Sequence, residues 1–263
     1  SPRTPTRPNT TTTLVCAFSL RRRLPMRHSR GTVLVPNTVR AMQTIDPTKS
    51  HLLTIQEPRN GGIALDLSWG KSIQANTSAI ERRAATLPGR RSIKKDYQAA
   101  WLCKAISLMD LTTLSGDDTE GRVRRLCAKA RQPVRPDLLK ALGMEGLTTG
   151  AICVYHDMVQ TAVDALRGTN IPVAAVSTGF PAGLSPFKLR IAEIGESVNA
   201  GAKEIDIVIT RRHVLQGNWQ ALYDEMTEMR AACGQAHVKA ILATGELGSL
   251  RNVARASVVC MMA

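Results

Sequence analysis

Four short runs rich in Val, Ile and Ala recur at near-regular distances through the second half of the chain, at 151–155, 171–178, 204–210 and 238–244. The stretches between them carry apolar residues at helical spacing. Val159, Val163 and Leu166 mark the first helix, Phe187, Ile191, Ile194 and Val198 the second, and Trp219, Leu222, Met226 and Met229 the third. Ser185 and Pro186 stand where an N-cap and a first helical residue belong. Gly168, Gly201 and Gly234 stand where helices end. Short apolar strands alternating with amphipathic helices predict parallel β/α architecture. A further strand, at 108–114, precedes a helix with Asp117, Asp118 and Glu120 expected in its first turn and Val123, Leu126, Cys127 and Ala130 on its buried face. Upstream of it, from about residue 92, Tyr97, Ala100, Trp101, Ala105 and Leu108 make one apolar stripe.

Five strand–helix units fit either an open doubly wound sheet or part of an eight-fold barrel. Strand polarity separates the two. In the run Glu204-Ile205-Asp206-Ile207-Val208-Ile209-Thr210 the odd positions are all Ile, while Glu204, Asp206 and Thr210 share the other face. A sheet covered by helices on both sides is apolar on both faces, whereas a barrel strand is apolar outward and can be polar inward. Lys239, one unit later, repeats the pattern. No G-x-G-x-x-G or G-x-x-x-x-G-K-[ST] loop supports nucleotide binding. The expected fold is therefore an α/β chain of the (β/α)8 TIM-barrel type with about five of its eight units present, 108–263, preceded by a helical segment, 60–107. The last helix runs into six consecutive apolar residues, 258–263, so the native chain is expected to continue past Ala263.

The net charge of +14 is unevenly divided: +8 over residues 1–60, +6 over 61–150 and zero over 151–263. No basic footprint covers the barrel, and nucleic acid is not an expected partner. Residues 1–59 are Arg-, Ser- and Thr-rich with a first acid at Asp46, the composition of an organellar transit peptide. The competing readings are that 1–59 is a basic, disordered extension, or that it reflects where the chain was taken to start, with Met26 or Met42 the true initiator. The six cysteines, Cys16, Cys103, Cys127, Cys153, Cys233 and Cys260, include no C-x-x-C pair, which argues for reduced buried thiols over zinc or disulfides. No apolar run approaches the roughly 20 residues of a membrane span.

Asp206 is the first candidate for chemistry, because a carboxylate within an apolar strand needs a partner. Lys239 on the next strand is the obvious one. The pair either sets register or forms an acid/base whose protonation the lysine tunes. Asp110 is a second carboxylate on a strand and equally suits a turn or cap. Cys153 with His156 is open to reading as a nucleophile pair, although a packed thiol beside a loop histidine is the simpler account. Glu246 follows a strand end, where barrel enzymes place working residues, or caps the next helix. Arg122, Arg124 and Arg125 read as a solvated helix face.

Specific strings carry further information. Asp110-Leu-Thr-Thr-Leu-Ser-Gly-Asp-Asp-Thr119, Ala151-Ile-Cys-Val-Tyr155, Ser177-Thr-Gly-Phe-Pro-Ala-Gly183, Glu204-Ile-Asp-Ile-Val-Ile209 and Lys239-Ala-Ile-Leu-Ala-Thr-Gly-Glu-Leu247 occur in this order. Together with Leu65-Asp-Leu-Ser-Trp69 and Ala99-Ala-Trp-Leu102 they resemble the deoxyribose-phosphate aldolase family in its longer animal-type form, from about Gly62 to Ala263. The resemblance implies a class I aldolase on a (β/α)8 barrel. Such an enzyme reversibly cleaves 2-deoxy-D-ribose 5-phosphate to D-glyceraldehyde 3-phosphate and acetaldehyde through a lysine Schiff base, without metal or organic cofactor. By the same resemblance Asp206 matches the proton-relay aspartate, Asp110 and Thr112 the polar motif of the first strand, and Cys153, Phe180 and Lys239 positions that line or support the pocket.

The family's Schiff-base lysine, in a Lys-Thr-Ser-Thr-Gly-Lys motif on the sixth strand, has no counterpart in this sequence. Nor do the second catalytic lysine and the Gly/Ser phosphate loops. The 263-residue chain alone is therefore expected to be inactive and poorly stable. Thr210, where animal-type members usually carry Asn, and His156-Asp157, in place of a Pro-containing turn, are departures. The resemblance further implies a phosphosugar substrate, no membrane association, a cytoplasmic location (mitochondrial if the Arg-rich segment directs import) and room for homo-oligomers. The competing functions are a non-catalytic binding protein that uses the basic N-terminal region, and another phosphosugar Schiff-base enzyme.

Overall fold

The structure, a computed structural model, describes residues 60–90 and 92–263. The basic extension read at 1–59, with its Met26 and Met42, lies outside the described residues. Three helices come first, α1 (Leu67–Ser72), α2 (Thr77–Ala85) and α3 (Lys95–Ser107). They are followed by β1 (Asp110–Thr112), α4 (Glu120–Arg131), α5 (Pro136–Leu142), β2 (Ala151–Tyr155), α6 (Val159–Ala165), β3 (Val173–Ser177) and α7 (Phe187–Asn199). Then come β4 (Glu204–Val208), α8 (Arg211–Leu215), α9 (Trp219–Ala232), β5 (His237–Ile241) and α10 (Leu250–Met262). Among the described residues no helix is long and apolar enough to cross a membrane.

The five strands form one parallel sheet in the order β1-β2-β3-β4-β5. A doubly wound sheet reverses its strand order at a switch point and carries helices on both faces; among the described residues this sheet does neither. Its outward residues, among them Ile152, Val154, Val173, Ala175, Ile205 and Ile207, share one core with Val123 and Cys127 of α4, Val159 and Ala162 of α6, Ile194 of α7, Leu222, Met226 and Met229 of α9, and Ala256 and Val259 of α10. The inward residues Cys153, Ala174 and Val176 form a separate cluster with Leu114, Tyr155 and Phe180. The period-two pattern of β4 therefore sorts as expected, with the isoleucines under the helices and Asp206 inside.

Curvature completes the case. Five flat strands would hold β1 and β5 about 19 Å apart. Instead Lys239 Nζ of β5 stands 2.5 Å from Asp110 Oδ2 of β1, a distance the two side chains cover only if the sheet is strongly curled. The alternating units are those of a (β/α) barrel wall.

Several local expectations need correction. Asp117 and Asp118 are not in the first turn of α4, whose N-cap is Thr119. They precede it and bind back, Asp118 accepting from Thr113 Oγ1 at 2.9 Å and both accepting from Arg122. Pro186, not Ser185, is the N-cap of α7, because its ψ of 137° is extended. The apolar stripe of α3 is not its buried face: Tyr97, Trp101 and Leu108 are 78%, 62% and 67% exposed. The helix packs instead through Cys103 and Ile106 against Leu139 and Leu147, on and beyond α5, a helix that periodicity missed. β5 ends at Ile241, short of the expected 244, as Ala243 turns the chain with a φ of 50°. Gly168, Gly201 and Gly234 do take positive φ at helix ends.

The C-terminal ends of β3 and β4 are tied by a buried network. Arg190 of α7 donates from Nη1 to Glu225 Oε1 of α9 at 2.5 Å and to Thr210 Oγ1 at 2.8 Å. It also donates from Nη2 to the Val208 carbonyl at 2.6 Å and from Nε to the Thr178 carbonyl at 3.1 Å. Glu225 in turn accepts from the Thr210 hydroxyl and backbone N–H. Thr178, held at a φ of 62°, takes the Val208 N–H on its Oγ1 at 2.7 Å. Beyond it Gly183 has a φ of 68°, and a Cβ there would stand 2.8 Å from Val208 Cγ1, so the loop closes on β4 only without a side chain.

Candidate active site

Inward-facing residues at the C-terminal ends of the strands enclose a cavity of about 830 Å³. The C-terminal face is where barrel folds hold their ligands, since the variable β-to-α loops converge there. Asp110, Thr112 and Leu114 come from β1 and the segment after it, Cys153 and Tyr155 from β2, Phe180 to Ala182 from the loop after β3, and Asp206 from β4. Tyr155 and Phe180 meet edge to face at 5.9 Å. Arg211 crosses the mouth, donating to the Ala182 carbonyl at 2.8 Å and pairing with Glu246 at 3.1 Å.

Beneath the cavity lies a buried cation, Lys239. Lys239 Nζ is 2.5 Å from Asp110 Oδ2, 2.8 Å from Glu204 Oε2 and 3.1 Å from Asp206 Oδ1. Register accounts for part of this, because β4 and β5 place Asp206 directly beside Lys239. Glu204 shares the face by parity, and curvature brings Asp110 across. One ammonium thus faces three carboxylates.

The consequences differ by residue. Burial pushes the Asp206 carboxyl up to about 6, against the pull of Lys239. Burial by itself would depress Lys239, but Asp206, Asp110 and Glu204 outweigh it and hold the lysine above its ordinary range. Cys153 is pushed up to about 12, by burial first and Asp206 second, so it is a thiol at neutral pH. Its Sγ stands 3.8 Å from Asp206 Oδ2. Asp206 is 2% exposed, and its Oδ1 touches the Lys239 ammonium as the longest of the three ion pairs.

Of the residues singled out in the sequence, Asp110, Thr112, Cys153, Phe180 and Asp206 line one cavity. Lys239 does not; it sits under the floor. Thr112 donates its hydroxyl to the Asp110 carbonyl at 2.8 Å. Cys153 and His156 do not pair, since His156 Nδ1 faces Glu193 Oε1 at 3.5 Å. Glu246 lines the mouth, opposite Arg211. Sequence reasoning missed Glu204 as a partner of Lys239, although its parity with Asp206 signalled it. It missed Arg211 and Tyr155 outright.

Residues 104–259, which hold the curled β/α wall, match the family described as DeoC/LacD family aldolase. The chain belongs to that family. The deoxyribose-phosphate aldolase of Mus musculus is 59% identical over 206 residues, covering 77% of this chain and 65% of that protein. The Homo sapiens protein of the same name is 57% identical over 208 residues, covering 78% and 65%. The chain thus spans just under two thirds of the length of these curated relatives. A solved structure from Coccidioides immitis, provisionally named a deoxyribose-phosphate aldolase, superposes with a TM-score of 0.53 at 22% identity, covering 75% of this chain and 69% of that one. One from Toxoplasma gondii, also provisionally named, gives 0.52 at 18%, covering 63% and 59%. These two share the aldolase fold.

Proposed function

We propose that the protein is a deoxyribose-phosphate aldolase, cleaving 2-deoxy-D-ribose 5-phosphate reversibly to D-glyceraldehyde 3-phosphate and acetaldehyde in carbohydrate catabolism in the cytoplasm. The observation that carries this reading is Asp206, a carboxyl 2% exposed on the floor of the cavity with the Lys239 ammonium 3.1 Å from its Oδ1. A carboxyl pushed up to about 6 exchanges protons near neutral pH, as a general acid/base must.

In this reading a lysine amine condenses with the sugar's aldehyde carbon, releasing water and leaving a protonated imine. Asp206, directly or through water, takes the proton of the C3 hydroxyl as the C2–C3 bond breaks. The bonding electrons move into the imine, giving an enamine and releasing glyceraldehyde 3-phosphate. Protonation of the enamine and hydrolysis then free acetaldehyde and the lysine. Asp110 borders the reacting carbons and holds Lys239 in place, while Thr112 and the Phe180–Tyr155 pair shape the wall.

Lys239 is a poor candidate for the nucleophile, because three carboxylates keep it an ammonium. The imine is assigned instead to the Schiff-base lysine that the family carries on its sixth strand. The test is retro-aldol turnover by the full-length protein, with borohydride trapping and peptide mass spectrometry. The expected result is cleavage of 2-deoxyribose 5-phosphate and a reduced adduct at a lysine other than Lys239. Asp206→Asn is expected to lower kcat by about 10²- to 10⁴-fold. No turnover, or turnover of ribose 5-phosphate alone, would overturn the substrate assignment, and an adduct on Lys239 would overturn the assignment of roles.

A further inference from the structure

The Lys239 ammonium has three hydrogens and three carboxylates around it, and it does not share them evenly. Register puts Asp206 directly beside Lys239, so an undisturbed pair would form there. The short contacts go elsewhere, to Asp110 Oδ2 at 2.5 Å and Glu204 Oε2 at 2.8 Å. Asp206 Oδ1 holds the longest of the three contacts, at 3.1 Å. Glu204 lies two residues before Asp206 on the same face of β4, about 7 Å along the strand, and so pulls the ammonium toward the N-terminal end of the strand.

We infer that Glu204 is a positioning residue for Asp206: it takes a share of the Lys239 ammonium that would otherwise pair more closely with the buried Asp206 carboxyl on the cavity floor. The inference rests on the reading of Asp206 as the proton carrier. The groups facing Asp206 are few. β1 presents Asp110, β2 the Cys153 thiol, β4 Glu204 and β5 Lys239, while β3 sets Val176 beside it and offers no charge. Among them Glu204 has a double effect. As a like charge it makes Asp206 hold its proton more tightly, a direction that Asp110 shares. As a competitor it also shares the stabilising ammonium, at 2.8 Å against 3.1 Å for Asp206. Removing its charge reverses both, letting Lys239 pair more closely with Asp206 and making Asp206 a weaker base.

The test is the carboxyl ¹³C titration of Asp206 in the full-length protein, assigned by its loss in Asp206→Asn, for the parent, Glu204→Asp and Glu204→Gln. The expected midpoints fall in that order, Glu204→Gln lying about one pH unit below the parent, because the shorter aspartate holds the ammonium less well than glutamate but keeps the charge. The acid limb of kcat moves down with the midpoint. Glu204→Gln loses about ten-fold in kcat while KM moves less than about two-fold, a split that general loss of folding would not give. A midpoint unchanged in Glu204→Gln overturns the inference whatever the rate does. If that variant fails to fold, an unchanged midpoint in Glu204→Asp overturns it equally. The titration needs no substrate, so absence of aldolase turnover would sink the proposed reaction while leaving the role of Glu204 to be read separately.

Discussion

The end of β4 is flanked by two buried charge networks of opposite character. Toward the helices, Arg190 and Glu225 carry one charge each, and between them they engage Thr178, Val208 and Thr210 with hydrogen bonds. Toward the interior, Lys239 is outnumbered three to one. A matched pair with its donors satisfied has nothing left to offer a ligand. The mismatched set holds a carboxyl near its titration point beside the cavity. The first arrangement holds loop ends in place; the second is the one the proposed reaction uses.

Breaking the matched pair should have the largest effect. Arg190→Ala strands Glu225 as an uncompensated buried charge, an expected loss of about 3–5 kcal/mol in denaturant unfolding. Asp206→Asn should go the other way. The folded carboxyl, at about 6, binds its proton more tightly than the unfolded one at 3.8. Asp206 therefore costs stability above pH 6, and that cost is relieved as pH falls from 6 toward 4. The variant should gain about 2–3 kcal/mol over the parent at pH 7 and lose this advantage by pH 4, as measured by urea midpoints across the range. A pH-independent difference would show that Asp206 is not held in this state.

Thr178→Val sharpens the comparison at the residue that straddles the two strand ends. It leaves the buried Val208 N–H without its acceptor, for a loss of about 1–2 kcal/mol with the Asp206 titration unmoved. The smallest effect is expected on the surface. Glu120 and Arg124 form an exposed i,i+4 pair at 2.8 Å, and Arg124→Ala should leave the thermal midpoint within error. A loss there comparable to that of Arg190→Ala would mean that burial is not what separates the networks.

Much of the interior was legible because strands alternate faces. The isoleucines at 205, 207 and 209 and the acid at 206 specify an outward-apolar, inward-polar strand, and the same parity put Lys239 beside Asp206. The contact between Lys239 and Asp110 was not legible. Those residues are 129 apart in the chain and on opposite edges of the sheet, and only its curl brings them together. Nor could alternation rank three carboxylates around one ammonium, which depends on fractions of an ångström. Periodicity failed in another way at α3. Tyr97, Trp101 and Leu108 do share a helical face, but spacing identifies a face without saying what lies against it. Arg211 went unnoticed because a lone arginine at a strand end carries no local pattern; its importance comes from reaching the carbonyls of a loop 29 residues earlier.

The strand order has a kinetic consequence. Each of the five described strands pairs with the one made immediately before it, so none of these pairings waits for a distant partner to leave the ribosome. Once β1 and β2 have met, each later strand finds its edge already formed and adds to it by closing a single β/α crossover, a closure whose entropic cost grows only slowly with length. This part of the wall can be laid down in the order of synthesis, and the lysine of β5 reaches carboxylates on β1 and β4 that are already in place.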